Sequence, residues 1–200
     1  MAPRPGTVVA SMRFASLITV FALVVSACGS SGVTIEEYFG ELDDAVLALD
    51  QADTDLAQQY QTQLAEGIDE LQARSDLTDP AQIEELARKA FELGVSATVS
   101  LLTARTVGLE LFVSRLRAVQ PPSEVSAEHA TALEAATAAL DALPGTIEAV
   151  NGIGSIEEMT AILAGSPFGI AQTNLGEACR QLQTIAVSAD IEVDLACARS

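Results

Sequence analysis

Only one histidine, His129, stands in 200 residues, and that scarcity excludes much chemistry at once. Di-iron carboxylate bundles need two E-x-x-H pairs, and not even one forms, because the residue three before His129 is Ser126. H-E-x-x-H zinc proteolysis and C-x-x-C-H haem attachment fail for the same lack. There is no G-x-S-x-G nucleophile elbow and no Walker loop. Positive charge is also scarce: ten Lys and Arg stand against 28 Asp and Glu, for a net charge of −18, and Lys89 is the sole lysine. Such a surface is repelled by phosphate backbones and anionic headgroups, so sequence-independent nucleic-acid binding is excluded. Acidity alone could signify disorder, but 49% of the residues are apolar and they recur with helical period, which argues for a folded body. No cofactor or metal is expected, and the chain is read as a non-enzyme.

What the chain does have begins at its front. Arg4 and Arg13 precede an apolar stretch over 14–25, and Ser26-Ala27-Cys28 follows. A charged n-region, a short h-region and small residues before a cut make a secretory signal. About 12 apolar residues span roughly 18 Å as a helix, short of the roughly 30 Å of a bilayer's hydrocarbon. Val25-Ser26-Ala27-Cys28 resembles the lipobox of bacterial lipoproteins. Small residues admit the peptidase, and the thiol is the nucleophile that accepts diacylglycerol. The alternative is an ordinary signal whose cut lies near a cysteine. The expectation is a signal peptide over 1–27, lipid on Cys28, a Gly/Ser tether over 28–33, and a single helical domain over 34–200. Two or three acyl chains suffice for stable anchoring, here at the extracytoplasmic face of the cell membrane.

Of three cysteines, lipidation of Cys28 leaves Cys179 and Cys197, an even pair in an oxidising compartment. A helix from Cys179 to about residue 189 climbs roughly 15 Å, and about seven extended residues return roughly 20 Å, so a disulfide is geometrically allowed. Such a bridge is worth about 3 kcal/mol in the chain-entropy model. Two buried thiols or a metal pair are the alternatives, although two sulfurs and one distant histidine make a poor zinc site.

The folded part reads as helices throughout. Thr34 and Glu37 form a capping box at the head of a periodic stripe from Ile35 to Leu71, predicting a helix to about residue 74. Asp79 and Pro80 open a second helix, predicted to about residue 119 and stopped by Pro121-Pro122. Its segment 94–111, with only Arg105 and Glu110 charged, is expected at the centre of the core, covered on several sides. A third helix is predicted from Ser123 or Ser126 to a stop at Pro144-Gly145, followed by two short elements over 146–150 and 156–163. A last helix is predicted over 168–188. Residues 191–195 alternate like a strand without a partner and read as an extended tail pinned by Cys197. The expected fold is all-α: an irregular helical bundle built on a long antiparallel hairpin.

Three candidate sites have bland readings beside the functional ones. His129 lies in an apolar stripe and reads as a core or helix-end histidine before it reads as a base. Asp50, Asp53 and Asp55 lack the glycine and terminal glutamate of an EF-hand, and read as a solvated face. Gly152-Ile153-Gly154-Ser155 follows no strand, and reads as a turn and N-cap before an anion site.

Three further segments, Glu36-Glu37-Tyr38-Phe39, Pro121-Pro122-Ser123-Glu124 with His129 following, and Cys179 through Val193-Asp194-Leu195 to Cys197, resemble a group of uncharacterised helical lipoproteins and secreted proteins of actinobacteria and their relatives. The resemblance implies a shared helical fold with a C-terminal disulfide, and no activity. The functional expectation is a membrane-anchored, non-enzymatic binding or structural protein with a protein partner in the envelope. A carrier of an apolar ligand between the long helices and a carboxylate-based enzyme are the alternatives.

Overall fold

The computed structural model describes residues 32–76, 78–195 and 197. Among them are five helices and no strand: α1 (Ile35–Ala73), α2 (Pro80–Ala118), α3 (Ser126–Asn151), α4 (Ile156–Gly165) and α5 (Pro167–Ser188).

Local chemistry sets most of the ends. At the head of α1 the Thr34 hydroxyl accepts from the Glu37 amide at 3.2 Å, and Glu37 accepts from the Thr34 amide at 2.9 Å, closing the capping box. Asp79 caps α2 by accepting from the Ala81 amide at 3.0 Å, with Pro80 in the first turn where no N–H is needed. Ser155 caps α4 through the Glu158 amide, and Ser166 ends α4 while capping α5 through the Gly169 amide. That shared junction is tight: a Cβ on Gly169 would lie 2.3 Å from the Leu163 carbonyl oxygen, so only glycine fits.

Helices α1 and α2 form the expected antiparallel hairpin. Arg115 donates to the Asp44 carbonyl at 3.2 Å and Arg105 to Asp53 at 2.7 Å, while Gly67 faces Leu93 towards the tip. Each helix has 39 residues, about 58 Å of rise, whereas α3 has 26. The hairpin therefore outruns its neighbours. Between Ala45 and Ala97 no described residue is fully buried. In that outer part Leu56, Tyr60, Leu64 and Leu71 of α1 are half-buried, as are Leu86, Ala90 and Leu93 of α2. Spacings of three, four and seven make this the seam of a two-helix coiled coil. With little core to hold it, the arm relies more on local pairs: Arg88 bridges Glu85 and Glu92, and Lys89 reaches Glu85 at 3.2 Å.

The core lies at the other end, in two clusters. One gathers Tyr38, Phe39 and Leu42 of α1 with Phe112, Val113 and Leu116 of α2, Ala132 and Ala136 of α3, Leu182 of α5, and Leu195. The second gathers Leu102 and Leu109 with Ala139, Leu143 and Val150 of α3 and Phe168 and Ala171 of α5. The alanines of α3 face Ala171, Gly176 and Ala178 of α5, and such small side chains let the two backbones approach closely.

Two expectations are corrected. Pro144-Gly145 does not end α3, which runs on to Asn151 with Pro144 in its interior and exposed. Leu143, Thr146 and Val150 continue one buried stripe past the proline, and their packing outweighs its lost hydrogen bond. Segment 94–111 is not covered on several sides either. Only α1 and α3 pack closely on α2, and Val107 and Leu111 stand 67% and 52% exposed. The outer face of α2 is uncharged for several turns, with Ser96, Ser100 and Thr103 continuing it.

Candidate functional site

Cys28 and the 1–27 leader lie outside the described residues. Cys179 and Cys197 are joined, with their Cα atoms 5.5 Å apart. The bridge is not the only tie on the tail. The side-chain amide of Gln183 donates to the Val193 carbonyl at 2.8 Å and accepts from the Leu195 amide at 2.9 Å. One glutamine thus supplies the hydrogen bonds a neighbouring strand would give, which is how an extended segment persists without one. Its start is a Schellman turn: Ile191 N–H donates to the Ala186 carbonyl and Asp190 N–H to the Val187 carbonyl, with Asp190 at φ 56°.

His129 is a core residue, 5% exposed. Its Nδ1 lies 3.1 Å from the Tyr38 hydroxyl, with the two rings edge to face. Burial lowers the imidazole pKa, and the Leu116 carbonyl opposes this more weakly. Burial, aided by the charge of Glu128, raises that of the Tyr38 phenol. The arrangement ties α3 to α1 and keeps the ring away from solvent.

The three aspartates of α1 diverge along an unbroken helix. Asp55 is exposed, while Asp50 and Asp53 turn towards α5 and the tail. There they help line a cavity of about 110 Å³ whose walls include Leu49, Leu109, Phe112 and Leu175. Arg105 lies at its polar end. Its guanidinium donates to Asp53 at 2.7 Å and sits 5.8 Å from the Phe168 ring centroid. The Gln172 amide oxygen, in the orientation that satisfies both groups, accepts from Nη1 and Nη2 at 3.0 Å. The Nε–H is buried and finds no acceptor among the described residues. Sequence inspection missed this site. Its one signal is the lone arginine in a stretch of α2 with little other charge.

A second feature is an open groove of about 900 Å³ between α1 and the end of α5 with the tail. Asp43, Asp50, Asp190, Glu192 and Asp194 line it, over Val46, Leu47 and Val187. Leu47 and Val187 are 51% and 63% exposed. His129 lines neither the groove nor the cavity.

The glycine pair before α4 is a turn and cap. Gly154 donates its amide to Glu158 at 2.7 Å, so a carboxylate of the chain itself occupies that helix start. No group of three or more His, Cys, Asp or Glu side chains among the described residues is placed to hold a metal ion. Helix α2 is long and apolar enough to cross a membrane by composition, but its Ala97, Leu102, Leu109 and Leu116 are buried against the bundle. Comparison of the chain with protein-family models, curated proteins and solved structures finds no match.

Proposed function

We propose that the chain is a lipid-anchored, non-enzymatic binding protein of the cell envelope, held at the extracytoplasmic face of the membrane through Cys28. The observation that carries the binding role is the groove between α1 and the tail, where five carboxylates surround an apolar floor. Exposed apolar side chains ringed by charge of one sign suit a partner segment that is basic and amphipathic, since complementary charge steers encounter and the floor supplies contact area. Engagement of the only histidine with Tyr38 in the core supports a binding role over catalysis.

The test is site-specific photo-cross-linking in intact cells, with the probe at Leu47 or at Val187, and at Ile83 on the arm as control. Support requires one partner captured from both groove positions and not from the arm, and lost in Asp43→Lys/Glu192→Lys protein. No capture from either groove position, or capture unaffected by charge reversal, would overturn the reading. Intact-mass analysis of the protein from its host tests the anchor, which requires diacylglycerol on residue 28 and the leader removed.

A second reading, a carrier of a small apolar ligand, is favoured by the cavity between α1, α2 and α5. Mass spectrometry of an organic extract of natively purified protein tests it, and an empty extract would count against it.

A further inference from the structure

The extended tail presents two different edges. Its side chains alternate: Ile191 and Val193 are half-buried and Leu195 is buried, whereas Glu192 and Asp194 are exposed. Its backbone alternates too, because in an extended chain the N–H and C=O of one residue point to one edge and those of the next residue to the other. Ile191, Val193 and Leu195 turn theirs to α5. The Ile191 amide donates to the Ala186 carbonyl, and Gln183 binds the Val193 carbonyl and the Leu195 amide. Glu192 therefore has its amide and carbonyl on the edge away from α5, and neither is hydrogen-bonded to another described residue. Glu192 lines the open groove, whose other wall is Asp43, Val46, Leu47 and Asp50 of α1.

We propose that the groove takes its partner as a β-strand, laid along the tail on the edge that carries the Glu192 amide and carbonyl. The inference deepens the binding reading above and rests on it: the basic, amphipathic segment is extended, and alternates basic with apolar residues. An exposed strand edge is a template for such addition, with the main chain giving affinity and alternate side chains giving specificity. The pattern follows from the tail itself. Residues directly opposite each other on paired strands share a face. Those beside Ile191 and Val193 point towards the apolar floor, where Val46 and Leu47 lie, and are apolar. Those beside Glu192 and Asp194 meet carboxylates, and are basic. A helix in the same groove would answer the charges but leave the Glu192 backbone to water.

The experiment uses the full lipidated chain in nanodiscs of neutral lipid, with the Leu47 methyl resonances and the Glu192 amide followed by NMR. The probes are a short peptide alternating lysine and valine, the same peptide N-methylated on its lysines or on its valines, and a peptide of equal composition with helical spacing. The alternating peptide is expected to shift Leu47 and to slow exchange of the Glu192 amide about tenfold. N-methylation of one alternate set removes the donors from one edge and keeps every side chain. It is expected to weaken binding about tenfold for the set that faces the tail, the lysines if the strands are antiparallel, and to change little for the other. Equal binding by the parent and both N-methylated peptides, or tighter binding by the helical one, would overturn the strand inference while leaving the binding reading intact. Unmoved Leu47 with every peptide would overturn both.

Discussion

The polar atoms of Tyr38 and His129, 91 residues apart in sequence, meet at 3.1 Å inside the core. The pair joins the first turn of α1 to the first turn of α3. A hydroxyl and an imidazole satisfy each other there, and neither can be left single without a buried polar group losing its partner. The only histidine in the protein therefore helps tie α3 to α1 inside the core.

Tyr38→Phe leaves Nδ1 of His129 without its donor and should lower unfolding stability by about 1–2 kcal/mol. The pH dependence is signed by the burial of the ring. Folding depresses the histidine pKa below its unfolded value of about 6.5, so the unfolded chain binds the proton first. The contribution is complete above that pH and is lost as the pH falls through the lower folded value. Urea midpoints at pH 7.5 and 5.5 should therefore fall in the wild type, and His129→Gln should flatten that fall. Glu37, Asp76, Glu85 and Glu177, whose pKa values hydrogen bonds hold low, act only at more acid pH. A slope between pH 7.5 and 5.5 that survives in His129→Gln would assign it to another group.

Besides the burial of Leu195 in the core, the bridge and Gln183 hold the tail, and these two ties are separable. Replacing both Cys179 and Cys197 with alanine should cost about 3 kcal/mol, as expected for a bridge closing a loop of this size. Gln183→Leu leaves the bridge intact but removes both hydrogen bonds to the tail. It should cost about 1–2 kcal/mol and speed hydrogen exchange at the Leu195 amide, with the helix amides of α5 unaffected. Unchanged exchange at Leu195 would show that the bridge and the burial of Leu195 order the segment without the glutamine.

How much of this could be read in the sequence depends on the range of the interaction. The caps at Thr34, Asp79 and Ser155 lie within four residues of their partners, and each helix start they announce is where the structure has it. The cysteine pair was legible because elimination left two thiols. Arg105 was not, because Asp53 and Gln172 are 52 and 67 positions away and nothing local marks them as its partners. The tail's partner is hidden for another reason: it is a side chain, Gln183, and not a strand, so no backbone pattern announces it. Low charge over 94–111 does not mean burial on every side, because serine, threonine and valine face solvent there.

Asp190 is the one described non-glycine residue with positive φ, at 56°. It occupies the position of a Schellman turn where glycine is the usual residue, because a Cβ crowds the left-handed backbone there. Asp190→Gly should raise stability by about 1 kcal/mol, seen as a higher Tm at unchanged urea m-value. A lower Tm would mean that the aspartate side chain makes a contact worth more than the strain.

Pro144 tests whether tertiary packing or local propensity governs α3. A proline in a helix interior removes one hydrogen bond and crowds the preceding turn, at a cost of about 3 kcal/mol. The unfolded chain recovers part of this, because proline also restricts it by up to about 1 kcal/mol. The ring itself contributes little burial, since it faces solvent. What carries the helix past it is the stripe of Leu143, Thr146 and Val150, each no more than 2% exposed. Pro144→Ala should therefore stabilise the protein by about 1–2 kcal/mol without altering its fold, and protect the amide at position 144 from exchange. Val150→Ala should do the reverse, at about 2–3 kcal/mol, by removing the packing that offsets the proline. In the double variant Pro144→Ala/Val150→Ala the loss caused by Val150→Ala should be smaller than in the wild-type background, because a helix that no longer carries the proline depends less on its buried face. Strict additivity would mean that residues 145–151 are helical for reasons independent of Pro144, and that the proline merely bends a segment already secured.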